Sequence, residues 1–165
     1  MMTTRATGRA GGQSSSKDRP VQASRAPRPA RGRNLRILSP GECLDLLEPG
    51  GVGRVGLMSA EGIVILPVNY AIAAKTVVFR TAPDTLLAAC ASAPVSFEAD
   101  RLDEAGREGW SVLLQGHARK VASEHEIHAL EEETRLEPWA SGARDVWVRI
   151  SAARITGRRI RQEAA

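Results

Sequence analysis

Between Ile63 and Cys90 the chain reads Ile-Val-Ile-Leu-Pro-Val-Asn-Tyr, a short break, Thr-Val-Val-Phe-Arg-Thr, then Ala-Pro-Asp-Thr-Leu-Leu-Ala-Ala-Cys. Two β-branched apolar runs flank a turn-length segment, Ala71–Lys75. This predicts two hairpin-connected strands with at least one buried face. The second run stops at Arg80-Thr81, and Pro83 follows where a helix would begin, with Asp84 and Thr85 in its first turn. A guanidinium, hydroxyls and the free N–H groups of a helix start thus converge within a few residues. Orphan amides and the helix dipole both favour negative charge there, so the junction is a candidate anion site.

The flanking sequence extends the β pattern. Ser39-Pro40-Gly41-Glu42 has the form of a capping box opening a short helix, which Pro49-Gly50-Gly51 ends. Val52–Met58 predicts a strand. Val95–Arg101 alternates, with Val95, Phe97 and Ala99 on one face and Ser96, Glu98 and Asp100 on the other. Trp110–Val121 and Val146–Ile160 predict long strands, with Gly116 as a bulge or bend in the first. Ser123 caps a polar helix from about Glu124 to Arg135. Six strands with hairpin-length links and only short helices predict a mainly β fold, a six-stranded antiparallel barrel rather than a βαβ sheet.

Charge divides the chain in two. Met1–Arg36 holds nine Lys/Arg and one Asp, whereas the remainder has 14 basic and 18 acidic residues. Residues 1–34, rich in Arg, Ser, Gly, Ala and Pro, are too poor in apolar side chains to offset the entropy of ordering and are expected to be a disordered basic tail. Residues 35–165 would form the folded domain. Its mildly acidic balance makes it a poor nucleic-acid surface, which leaves only the tail for such a partner. No apolar run approaches the roughly 18 residues a membrane span needs, and no secretory h-region follows the first methionines. Cys43 and Cys90 lie in apolar helical runs without metal-type spacing, as expected of reduced, buried thiols in a cytoplasmic protein. His125 and His128 stand at helical i, i+3 spacing with no evident ligand set, and His117 lies in a strand, so no metal site is expected. No nucleophile–base arrangement or paired carboxylates can be picked out; any chemistry would belong to a cofactor.

Gly53-Arg-Val-Gly56, Pro67-Val-Asn-Tyr70, Phe79-Arg-Thr81, Phe97-Glu-Ala-Asp-Arg101, Gly109-Trp-Ser-Val112 and Ile155-Thr-Gly-Arg-Arg159 follow one another in the order seen in the pyridoxamine 5′-phosphate oxidase-like family. The chain resembles its small actinobacterial branch over roughly Leu38–Ile160. The resemblance implies a split β-barrel that forms homodimers, with flavin mononucleotide (FMN) in a cleft between subunits and a small molecule as substrate. It places Pro67, Val68, Asn69 and Tyr70 along the flavin ring and ribityl chain, and Phe79, Arg80 and Thr81 toward the ribityl and phosphate end. Thr85 adds a hydroxyl, and Trp139 resembles a position that reaches the partner's flavin. It also implies an oxidoreductase working by hydride transfer. The deazaflavin F420 is the alternative cofactor, and a non-enzymatic flavin-binding or interaction protein the alternative role. Relatives commonly carry Gly-Ser/Thr-Lys where this chain has Asp84-Thr85-Leu86, so one phosphate-pairing lysine is missing. The C-terminal substrate-phosphate residues of the authentic oxidase are not recognisable, so that activity is not expected.

Overall fold

The computed structural model describes residues 34–90 and 92–161. In chain order they form β1 (Asn34–Leu38), α1 (Pro40–Leu47), β2 (Gly51–Ser59), β3 (Gly62–Ala73) and β4 (Thr76–Thr81). Then come α2 (Leu86–Ala89), β5 (Pro94–Asp103), β6 (Glu108–Lys120), α3 (Glu124–Thr134) and β7 (Val146–Arg161). Apart from Asn34, the expected basic tail lies outside the described residues.

The strands run β7-β4-β3-β2-β5-β6, and β6 pairs back onto β7, so six antiparallel strands close into a ring. Closure pairs most of the ladder edges on which flat sheets aggregate, leaving β1 and part of β3 with one strand neighbour. β7 is long enough to serve three neighbours. β6 lines one side of it, while β4 pairs with Val146–Ile150 and β1 with Gly157–Arg161 on the other. The barrel is therefore split along β7, between β4 and β1. β1 adds a seventh strand to the six expected, and it begins at Asn34, the last residue assigned to the tail.

Local chemistry explains most boundaries. Ser39 and Glu42 make the expected capping box at the start of α1. The β3–β4 hairpin turns tightly through Ala74 and Lys75, both with positive φ (48° and 60°), the pattern of a two-residue turn matched to strand twist. The β6–β7 ladder shifts register at Gln115/Gly116, where a β-carbon on Gly116 would run into the Ser151 carbonyl. The helix expected at Pro83 instead starts at Leu86 and lasts four residues, with Thr85 as its cap. Pro83 and Asp84 belong to the preceding turn, so the helix start offers far less dipole than expected.

Two cores result. Inside the ring, Val55, Tyr70, Val77, Phe79, Phe97, Val112, Leu114, Val148 and Ile150 pack with Cys43 and Leu47 of α1. Tyr70 and Phe97 meet edge-to-face at 4.9 Å. Outside it, α3 lays Leu130 against Ala73, Val78, Val121 and Trp147. Strand alternation sends Val77, Phe79 and Thr81 inward, and Val78 and Arg80 outward onto the surface that carries Trp147.

Candidate functional site

The register of β3 defines the site. Its ladder with β2 covers Gly62–Tyr70, but its ladder with β4 covers only Tyr70–Ala73, against Thr76–Phe79. Beyond that point β4 leaves β3 and pairs Arg80 and Thr81 with Trp147 and Val146. Among the described residues, Ile63–Asn69 thus has a strand neighbour on one side alone. Alternate residues of an antiparallel strand aim N–H and C=O to opposite sides, so this edge holds backbone donors and acceptors not used by the sheet. The gap where the two strands diverge, here called the groove, is bridged by the α3–β7 connection, which is bonded to Asn69 on β3 and to Arg80 on β4.

The side chains expected at a cofactor divide between the inside and the outside of the barrel. Val68, Tyr70, Phe79 and Thr81 are buried. Burial pushes the Tyr70 phenol up to about 12. The Thr81 hydroxyl bonds the Thr85 hydroxyl at 2.8 Å, and the Thr85 hydroxyl also donates to the Ala82 carbonyl and accepts from the Ala88 N–H. Tyr70 and Phe79 are paired with a strand on each side as well, so the structure turns these four buried side chains into the barrel rather than toward the open edge of β3. Pro67, Asn69, Arg80 and Trp139 have solvent-accessible side chains.

Arg80 is a fixed cation. Its guanidinium lies 5.4 Å from the centre of the Trp147 ring, donates from Nε to the Arg144 carbonyl at 2.8 Å, and has Nη2 3.8 Å from the Asp145 carboxylate. Its side chain is one-quarter exposed, so it is held at a surface rather than extended into solvent. Trp139, 81% exposed, has its backbone N–H bonded to Asn69 Oδ1 at 2.9 Å. This link spans 70 residues of sequence, and no local pattern could have revealed it. Asn69, Tyr70 and Trp139 share a cavity of about 470 Å³ with Glu48, Arg135 and Glu137.

Among the described residues no cluster of His, Cys, Asp and Glu is placed to hold a metal ion. Cys43 and Cys90 are buried, unpaired thiols, and burial pushes both up from the ordinary thiol range, which suits packing rather than nucleophilic attack.

Residues 39–159 match the family described as pyridoxamine 5′-phosphate oxidase. The chain belongs to that family. A FAD-binding protein of Mycobacterium smegmatis is 37% identical, over 76% of this chain and 98% of that one, with a TM-score of 0.64. A pyridoxamine 5′-phosphate oxidase-type protein of Corynebacterium glutamicum is 30% identical, over 79% of this chain and 96% of that one, with a TM-score of 0.67. The uncharacterized protein Rv0080 of Mycobacterium tuberculosis is 32% identical over 143 residues, 83% of this chain and 93% of the relative. The ring split along β7 is the split barrel that membership in the pyridoxamine 5′-phosphate oxidase family implies. No described helix is long and apolar enough to cross a membrane.

Proposed function

We propose that this member of the pyridoxamine 5′-phosphate oxidase family binds a flavin in the β3–β4 groove and acts as an oxidoreductase on a small molecule. The carrying observation is the open edge of β3 beside Arg80: sheet-type hydrogen-bonding groups adjoin a fixed guanidinium and an exposed tryptophan. A flat heteroaromatic ring with a phosphorylated tail asks for those three features. The backbone of Pro67–Asn69 would take the ring, Arg80 the phosphate, and Trp139 would limit water at the mouth. A bound flavin supplies two-electron hydride chemistry; the chain supplies placement and dryness.

Among flavins, FAD suits these residues better than FMN. A terminal phosphate concentrates close to two charges where this chain has Leu86, 47% exposed, in place of a lysine, with Asp84 nearby in sequence. FAD spreads its charge over a diphosphate and adds an adenosine that can use apolar surface. The FAD-binding relative at 37% identity supports this choice.

The site is completed in this proposal by a second copy of the chain. Ile63 and Ile65 continue the outward row of Pro67 and Asn69 along β3, and with Met58 they are among the most exposed apolar side chains of the molecule. A patch of this kind next to a half-open groove suits a subunit interface. Two unpaired, buried cysteines fit a reducing cytoplasm.

The decisive experiment is titration of the purified protein with FAD, FMN and riboflavin, followed by absorbance. FAD should perturb its own spectrum on binding and bind more tightly than FMN. Arg80→Ala should weaken both phosphorylated flavins roughly ten- to a hundredfold, the equivalent of one charge-assisted contact, and riboflavin much less. A saturating concentration of FAD with no spectral or thermal shift would refute the assignment. Bound FAD without turnover of any nicotinamide or F420 donor would instead indicate a binding protein.

A further inference from the structure

The segment joining α3 to β7 crosses the groove, and side chains of other elements hold it there. Asn69 on β3 accepts the Trp139 N–H, and Arg80 on β4 donates to the Arg144 carbonyl and faces Asp145. Within the segment, Arg144 Nε donates to the Ala140 carbonyl at 3.1 Å. One anchoring side chain, Arg80, is the group that the flavin assignment gives to the phosphate, and the other, Asn69, stands on the stretch whose backbone it gives to the ring.

They are not equally able to serve both. An amide that accepts through Oδ1 keeps two donors on Nδ2, so Asn69 can hold Trp139 and still face a ring. Arg80 already spends Nε on Arg144 and has Nη2 toward Asp145. A phosphate prefers two parallel donors of one guanidinium, and the Asp145 carboxylate would stand beside it with like charge.

We propose that Pro138–Asp145 is a strap with unequal ends, fixed at Asn69 and releasable at Arg80. A phosphorylated ligand exchanges with the Arg144 carbonyl and the Asp145 carboxylate for the Arg80 guanidinium. The Arg144 end comes free while Trp139 stays at the groove. Asn69 is thereby a positioning residue for Trp139, and Asp145 a competitor that raises the ligand charge needed to open the strap. This rests on the flavin assignment.

Trypsin reads the strap directly, because Arg144 lies at its releasable end. Cleavage after Arg144, followed by peptide mass, should be several-fold faster with saturating FAD or FMN and unchanged with riboflavin, which has no phosphate. Without ligand, Asn69→Ala should also speed it several-fold. Asn69→Asp, whose carboxylate still accepts the Trp139 N–H, should cleave like the parent protein. A flavin whose spectrum shifts on binding while cleavage stays level or slows overturns the exchange at Arg80. Parent-like cleavage of Asn69→Ala overturns the fixed end. If none of the three flavins shifts its spectrum, the cofactor assignment fails and the exchange at Arg80 fails with it; Asn69→Ala still decides the fixed end.

Discussion

The sulfur of Cys43 lies 2.6 Å from the point where a β-carbon on Gly157 would sit. The helix α1 is therefore seated on β7 at a contact that admits no side chain. Leu38 Cδ1 at 3.0 Å and the Ser111 carbonyl at 3.3 Å crowd the same point, so a side chain there forces its neighbours to move. Gly157→Ala should destabilise the fold by about 1–3 kcal/mol through overpacking. Cys43→Ala should recover part of that loss in the double variant, which a urea-denaturation cycle would measure. Strict additivity of the two changes would show that they do not meet.

Tyr70 is the single tyrosine of the chain, so tyrosinate absorbance reports on one group. Burial, the dominant cause, holds its phenol near 12 in the folded protein, above the ordinary value of 10. A folded value raised in this way stabilises the neutral form. The contribution is fully present below pH 10 and is lost as pH rises from 10 through about 12. The native protein should titrate near 12 and the denatured chain near 10. Native titration at the ordinary value would place the ring in water.

At the acid end the sign reverses. Backbone and side-chain hydrogen bonds from Ser39 hold the Glu42 carboxyl at about 2, below its ordinary 4.5, and Arg36 adds to the effect. Hydrogen bonding from Arg119 lowers Glu126 likewise. Both contribute stability above pH 4.5 that is lost on acidification, for Glu42 through about 2. Glu98 opposes them, since burial raises it and protonation relieves that cost. Glu42→Gln should flatten the acid limb of the stability curve, and Ser39→Ala should cost about 0.5–2 kcal/mol at neutral pH. Parent-like acid sensitivity in Glu42→Gln would remove Glu42 from the account.

The apolar face of β3 carries a prediction about assembly. Replacing Ile63 and Ile65, 75% and 65% exposed, by lysine should leave the core intact because both side chains point outward. If the parent sediments as the proposed dimer, the double variant should sediment as a monomer and bind FAD less tightly. Unchanged sedimentation would move the interface elsewhere.

Alternation in Val95–Arg101 and the capping box at Ser39 were legible because each is decided by neighbours in sequence. Leu35, Arg36 and Ile37 of β1 are all exposed, so no buried face marks this edge strand beside a basic tail. Pro83 was misleading for a related reason. It suits a turn as well as a first helical residue, and the hydroxyl that caps α2 belongs to Thr85. For the site, motif order pointed to β3 and β4. The inward turn of Thr81 depends on strand phase, and the hold of Asn69 on Trp139 depends on tertiary closure, so neither could be read from spacing.

β7 joins β1, β4 and β6, and it leaves the ribosome after all three. Until Val146 and the residues that follow have emerged, β4 and β6 lack this shared partner and the ring stays open. The nascent chain therefore exposes sticky strand edges for most of its synthesis. A chaperone that waits for the last strand would do more for the yield of this protein than one that attends only to the first.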